Sequence, residues 1–277
     1  MTEPEPQYPL PRKAFAIVFF TFLLIMIAEF VIIKAGVGGR KEAFFVETIV
    51  IIPALFYVWK HKLSPVEIFR LRWPGIKIAL VSMLIGIGML VLSDSFERLA
   101  AIILPQSDAL DKLQENMRQS LITQNVSELC IIIFVIVFMA GILEEMLFRG
   151  FLLVSLEQSG DITKAVMLTA FVFSFFHYVW IIWPWAFIQI LMLGVVLGVL
   201  AWKSDSIVPA VIIHMVNNAA KLIFLYTEEE TLTWYEWKGQ VAPWIVLPAI
   251  GLVWFGIKYF YRTIDAEQEE YEPEVEE

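Results

Sequence analysis

Eight stretches of this chain stay apolar over about the thickness of a lipid bilayer, and this constrains the fold more than any other feature. They cover residues 14–33, 43–59, 76–93, 129–148, 163–179, 183–202, 207–226 and 241–261. A helix crossing the hydrocarbon core needs about 20 apolar residues. Inside that core the backbone finds no water, so each crossing segment must satisfy its own N–H and C=O groups as a helix or join a closed barrel. Runs of this length predict helices. The expected fold is all-α, a polytopic membrane helical bundle with about eight transmembrane helices spanning residues 14–263. Composition agrees: 59% of the residues are hydrophobic, against roughly 45–50% in soluble domains.

The two ends are polar. Residues 1–13 read as an N-terminal cytoplasmic tail. Arg12 and Lys13 precede the first run, which is long for a signal peptide and is closed by no small-x-small cleavage site, so it reads as an anchor helix. Residues 264–277 read as an acidic, disordered C-terminal tail. The stretch DAEQEEYEPEVEE holds eight acids and no base, and removing them takes the formal charge from −9 to −1. The acidity is therefore local, and no basic patch suggests nucleic acid. A single cysteine, Cys130, excludes an internal disulfide and a cysteine metal cluster.

The one long connection, 94–128, contains Leu110, Leu113, Met117 and Leu121 at helical spacing, with Ser107 placed to cap the helix. It reads equally well as an amphipathic helix on the bilayer surface or as a loop helix packed on the bundle. Asn125-Val126-Ser127 fits a glycosylation pattern that often arises by chance. Gly194 and Gly198 form a GxxxG, which permits close helix approach but is also compatible with a lipid-facing position. Lys60, Lys62, Arg70, Arg72 and Lys77 gather between the second and third runs. The positive-inside rule puts that segment, and by alternation both termini, in the cytoplasm.

Ionisable side chains inside membrane spans are costly and mark function by default. The fourth run ends in GILEEMLFRG, with Glu144, Glu145 and Arg149. The fifth carries Phe173 and His177, the seventh His214 and Asn218. Glu145 and Arg149 are spaced i, i+4 and share a helix face, as do Phe173 and His177, and His214 and Asn218. Glu144 is rotated about 100° from Glu145 and must face something else. Taken singly, each pair has a structural explanation: a paired helix end, or an interhelical hydrogen bond. Together they leave an unpaired glutamate, two histidines and an asparagine on three helices, which packing alone does not explain. His61, in the basic loop, reads as a surface residue, and Lys221 stands alone in a span.

The order EExxxR, FxxxH, HxxxN resembles the CAAX-protease and bacteriocin-processing family of intramembrane proteases, also called the CPBP or Abi family. The resemblance covers roughly residues 125–225, and SPVEIFRLRWP at 64–74 is similar to the family less specifically. It implies an intramembrane endopeptidase that hydrolyses a peptide bond near the C-terminus of a membrane-associated protein or peptide, with prenylated CAAX-type termini among its substrates. Glu144, helped by His177, would activate water, and His214 and Asn218 would stabilise the oxyanion. Glu145, Arg149 and Phe173 would support the site. The family's chemistry has been read both as metal-dependent and as metal-free. Glu144, His177 and His214 have the donor chemistry of a catalytic Zn2+ site, but HExxH is absent, so metal-free catalysis is the expectation and no certain cofactor is assigned. The competing readings are a non-catalytic peptide-binding or immunity-type membrane protein, and a proton-coupled transporter.

Overall fold

The computed structural model describes residues 8–36, 40–103, 108–177, 184–227 and 229–271. Its helices are α1 (Pro11–Lys34), α2 (Arg40–Lys60), the single turn α3 (Pro65–Ile68), α4 (Ile76–Ile103), α5 (Asp108–Leu121), α6 (Val126–Glu157), α7 (Ile162–Phe176), α8 (Pro184–Ser204), α9 (Val208–Tyr226) and α10 (Pro243–Tyr271). Two short strands, β1 (Glu236–Trp237) and β2 (Gln240–Val241), form a hairpin before α10. The protein is an all-α, multi-pass membrane bundle. Seven helices, α1, α2, α4, α6, α8, α9 and α10, are long and apolar enough to cross a membrane.

Three expected boundaries differ. The fifth run yields only a 15-residue helix, α7. Gly160 turns the chain at a φ of +78°, and the Asp161 carboxylate accepts the Lys164 N–H at 3.0 Å to start the helix. It stops at His177, which leaves helical geometry. The fourth run continues past residue 148 to Glu157, because Met146–Leu156 contains no proline and stays buried along most of its length, its one glycine, Gly150, packing against the Phe69 backbone. Helix α10 runs to Tyr271, into the segment expected to be a disordered tail, because Ala266, Glu267, Gln268 and Glu269 are good helix formers that extend the preceding turn. Residues 272–277 lie outside the described residues, as does Ser107.

Helix α5 rests on the bundle through buried Leu110, which packs with Ala186 of α8. Its end is tied down by Tyr226, whose hydroxyl donates to the Leu121 carbonyl at 2.8 Å and accepts the Thr123 N–H at 3.0 Å. Asn125 has a structural use: its side-chain oxygen accepts the N–H groups of Ser127 and Glu128 and caps α6.

The GxxxG of α8 faces α7. A Cβ on Gly194 would lie 3.1 Å from Cβ and 3.2 Å from Cα of Ala170, and one on Gly198 would lie 3.2 Å from Val166. Gly194→Val is therefore expected to force α7 from α8 and lower stability by about 1–3 kcal/mol, the usual cost of overpacking. Gly251→Ala is the control: its Cβ would meet nothing within 4 Å, and helix propensity favours alanine by about 1 kcal/mol. Equal melting of Gly194→Val and wild type in detergent would refute this packing.

At one end of the bundle Arg70 joins three elements. It sits at a φ of +50° and is buried. Its Nη2 donates to Glu157 at 2.5 Å and its Nε to Asp205 at 3.1 Å. Its carbonyl accepts the Ile207 N–H at 3.1 Å. Arg72 also pairs with Asp205. The ends of α6 and α8 and the start of α9 are thereby held together. This fixes the relative height of the polar groups on α6 and α9.

Candidate active site

Helix α6 supplies the acids. Its ladder is interrupted by two π-helical stretches, Phe134–Met139 and Met146–Leu152, with one α-helical segment, Ala140–Glu145, between them. Such π segments are frequent at functional sites. The intervening segment carries both glutamates, and the 100° between them sends them to different partners.

Glu145 faces inward and is fully buried, as is Arg149. Arg149 Nη1 donates to Glu145 Oε1 at 3.0 Å, and Nη2 donates to the Gly194 carbonyl at 3.1 Å. The close α7–α8 contact at Gly194 thus delivers a carbonyl to the guanidinium. The same Glu145 oxygen lies 2.8 Å from His214 Nδ1. A carboxylate only accepts, so Nδ1 carries the proton and donates it. Glu145 therefore joins α6, through Arg149, to α9, through His214.

Glu144 faces the other way and is only partly covered, with 14% of its side chain accessible. Its Oε2 lies 3.8 Å from His177 Nε2. His177 is positioned by the end of α7: its backbone N–H turns back to the Ser174 carbonyl, and its ring Nδ1 lies 2.9 Å from the Phe173 carbonyl. A carbonyl also only accepts, so Nδ1 is the donor and Nε2 presents a lone pair towards Glu144. Two acceptors face each other across a gap too wide for a direct hydrogen bond.

Phe173 packs against both halves of the site. Its ring centroid is 4.7 Å from that of His177 and 5.9 Å from that of His214. The Arg149 guanidinium lies 4.1 Å from the ring centroid, a cation–π distance. Asn218, one turn beyond His214, donates from Nδ2 to the Ile136 carbonyl at 3.0 Å. Ile136 lies in the first π-helical stretch. One Asn218 N–H is thereby used and the other remains.

The structure thus brings all seven expected residues onto neighbouring helices, six of them as two groups sharing Phe173 and Asn218 tied instead to the Ile136 carbonyl. It pairs Glu144 with His177, and Glu145 with Arg149 and His214. It does not assemble the donor set considered for Zn2+. Among the described residues no three His, Cys, Asp or Glu groups are placed to hold an ion. These residues do not fit a metal centre as arranged, and no step below runs through one.

Sequence reasoning missed Glu47 on α2. It lies close enough to Glu144 for the two carboxylates to interact. Among the described residues, one buried oxygen of each lacks a hydrogen-bond partner. The signal was present: Glu47 is an acid inside the apolar run 43–59, which by itself marks a residue for attention. Glu144 lies about 20 Å of helix from Glu157, where α6 ends, at 1.5 Å per residue. Because α7 ends at Phe176, His177 reaches a matching height.

These features define an integral, multi-pass membrane protein with an acid–histidine site sunk among its helices. Residues 126–220 match the family model for Rce1-like proteins, described as type II CAAX prenyl endopeptidase Rce1-like, the family that the three motifs single out. The matched segment is about a third of the chain and holds all seven expected site residues. At family level the match supports a CAAX-type intramembrane endopeptidase and a membrane-associated substrate. Neither a curated protein nor a solved structure matches the chain.

Proposed function

We propose that this protein hydrolyses a peptide bond near the C-terminus of a membrane-associated protein or peptide, with Glu144 and His177 activating water and His214 and Asn218 stabilising the oxyanion. The observation that carries the reading is the 3.8 Å separation of Glu144 Oε2 and His177 Nε2. A water beside these two acceptors donates a proton to each and turns its own lone pair outward. Its oxygen attacks the scissile carbonyl carbon as one of the two groups takes a proton. The C–N bond then breaks, and the proton passes to the departing amine.

The carbonyl oxygen gains negative charge during attack and needs donors aimed at it. His214 gives its Nδ1–H to Glu145, and a proton on Nε2 makes that nitrogen a donor to the oxyanion. The remaining N–H of Asn218 supplies another. Glu145, itself paired with Arg149, orients His214, and the Ile136 carbonyl orients Asn218.

A lipidated substrate suits a second feature. An apolar cavity of about 210 Å³ lies between α1 and α7, lined by residues that include Phe15, Phe22, Phe171 and Phe176. Phe176 directly precedes His177. Such a lining suits a hydrocarbon chain.

The test is incubation of the purified protein with matched prenylated and unprenylated C-terminal peptides, with and without a strong chelator. Cleavage that survives chelation, in protein without stoichiometric zinc, is expected. Activity lost on chelation and restored by added zinc would replace the metal-free mechanism. Binding of peptide with no cleavage would favour a capture or immunity role, and proton-coupled uptake into vesicles a transporter.

A further inference from the structure

Glu47 has no part in the chemistry above, yet α2 carries its carboxylate into the apolar contact that also holds Glu144. The two helices meet there: α2 packs on Ala140–Glu145 of α6. Val46 and Ile49, on either side of Glu47, and Leu143 and Met146, on either side of the two glutamates of α6, pack against one buried cluster that includes Val50, Ile51 and Leu147. An acid in such a place is costly and is kept where it has a use.

Neither carboxylate is fully partnered. Glu47 Oε2 and Glu144 Oε2 are both buried, and neither accepts a hydrogen bond among the described residues. No lysine or arginine among the described residues pairs with either acid. Arg149 is turned to Glu145 and the Gly194 carbonyl, and His177 offers Glu144 a lone pair rather than a proton. Two ionised carboxylates in one apolar contact repel each other and leave their oxygens without donors. A single proton removes both costs, because it makes one acid the donor and the other its acceptor. Glu144 borders the gap to His177, where water can reach it, so the charge rests on Glu144 and the proton on Glu47.

We propose that Glu47 is a positioning residue for hydrolysis: as a neutral acid it donates a hydrogen bond to the Glu144 carboxylate and holds it towards His177. This rests on the peptidase reading above. A carboxylate oxygen has two acceptor sites, so Glu144 receives the Glu47 O–H and still accepts a proton of the attacking water. Glu47 keeps its own proton throughout the cycle.

Two measurements test this. Infrared spectra of the purified protein in water and heavy water, taken against Glu47→Gln, should show the carbonyl band of one neutral carboxylic acid. The band should vanish in Glu47→Gln and move or vanish in Glu144→Gln. Cleavage of a C-terminal peptide is then compared between Glu47→Gln and Glu47→Leu. The glutamine amide still donates an N–H to Glu144, so Glu47→Gln should keep most of kcat. Glu47→Leu supplies no donor and should lose kcat by about tenfold or more, the worth of a hydrogen bond to a charged group, with KM little changed. Absence of the band in wild type, or its persistence unchanged in either variant, overturns the proposal. So does a Glu47→Leu protein with wild-type kcat, or a Glu47→Gln protein as slow as Glu47→Leu, which would make Glu47 a base. If wild type cleaves no peptide, the peptidase reading falls, and the infrared comparison still decides whether Glu47 carries the proton.

Discussion

Replacing Glu144 by glutamine is expected to lower the rate of peptide hydrolysis by about 10²–10⁴-fold, the usual cost of removing a general base. The amide keeps the shape of the carboxylate but accepts no proton from water. His177 Nε2 still faces the gap from 3.8 Å, and Glu47 lies nearby, so a residual rate is expected. The fold should survive, because Glu144 is partly accessible and the hydrogen bonds around Arg149 and His214 end on Glu145. Melting of Glu144→Gln or Glu144→Ala should equal or exceed that of wild type, since functional charges often carry a stability cost. The measurement is cleavage rate and detergent melting on the same preparation. Near-wild-type turnover by Glu144→Gln would sink the mechanism.

Breaking the buried pair beside it should have the opposite profile. Arg149→Ala leaves the Glu145 carboxylate fully buried with only His214 to compensate it. Glu145→Ala leaves Arg149 and His214 without their shared acceptor. Removing one member of a buried ion pair costs about 3–5 kcal/mol, so both variants should melt well below wild type. Glu145→Ala should lose more activity than its loss of stability explains, because His214 is then no longer oriented. Replacing both residues with methionine should recover part of the stability, because no buried charge is left alone. If Glu144→Ala melts far below wild type and Glu145→Ala does not, the two roles are reversed.

The sequence made these contrasts readable because adjacent helical residues point about 100° apart. Glu144 and Glu145 therefore could not share a partner, and Arg149 at i+4 belonged to Glu145. The same periodicity placed His214 with Asn218. It gave no information about what lies across from each face. Glu145 receives His214 as well as Arg149, and that pairing depends on α9 crossing α6 at this height. Glu47 faces Glu144 because α2 packs against the same part of α6. The GxxxG at Gly194 and Gly198 was compatible with lipid or protein until Ala170 and Val166 appeared opposite it.

By itself, then, the sequence determined the membrane bundle, marked the polar residues within it as candidates and set the two glutamates on different helix faces. These follow from properties read along one chain segment: apolar length, helical period and the cost of charge in lipid. The tertiary structure decided that α7 stops early enough to swing His177 onto the Phe173 carbonyl. It also decided that Gly194 brings a carbonyl to Arg149, and that His214 hangs from Glu145. Each of these depends on how helices distant in sequence seat against one another, and residue period does not encode their relative height and rotation.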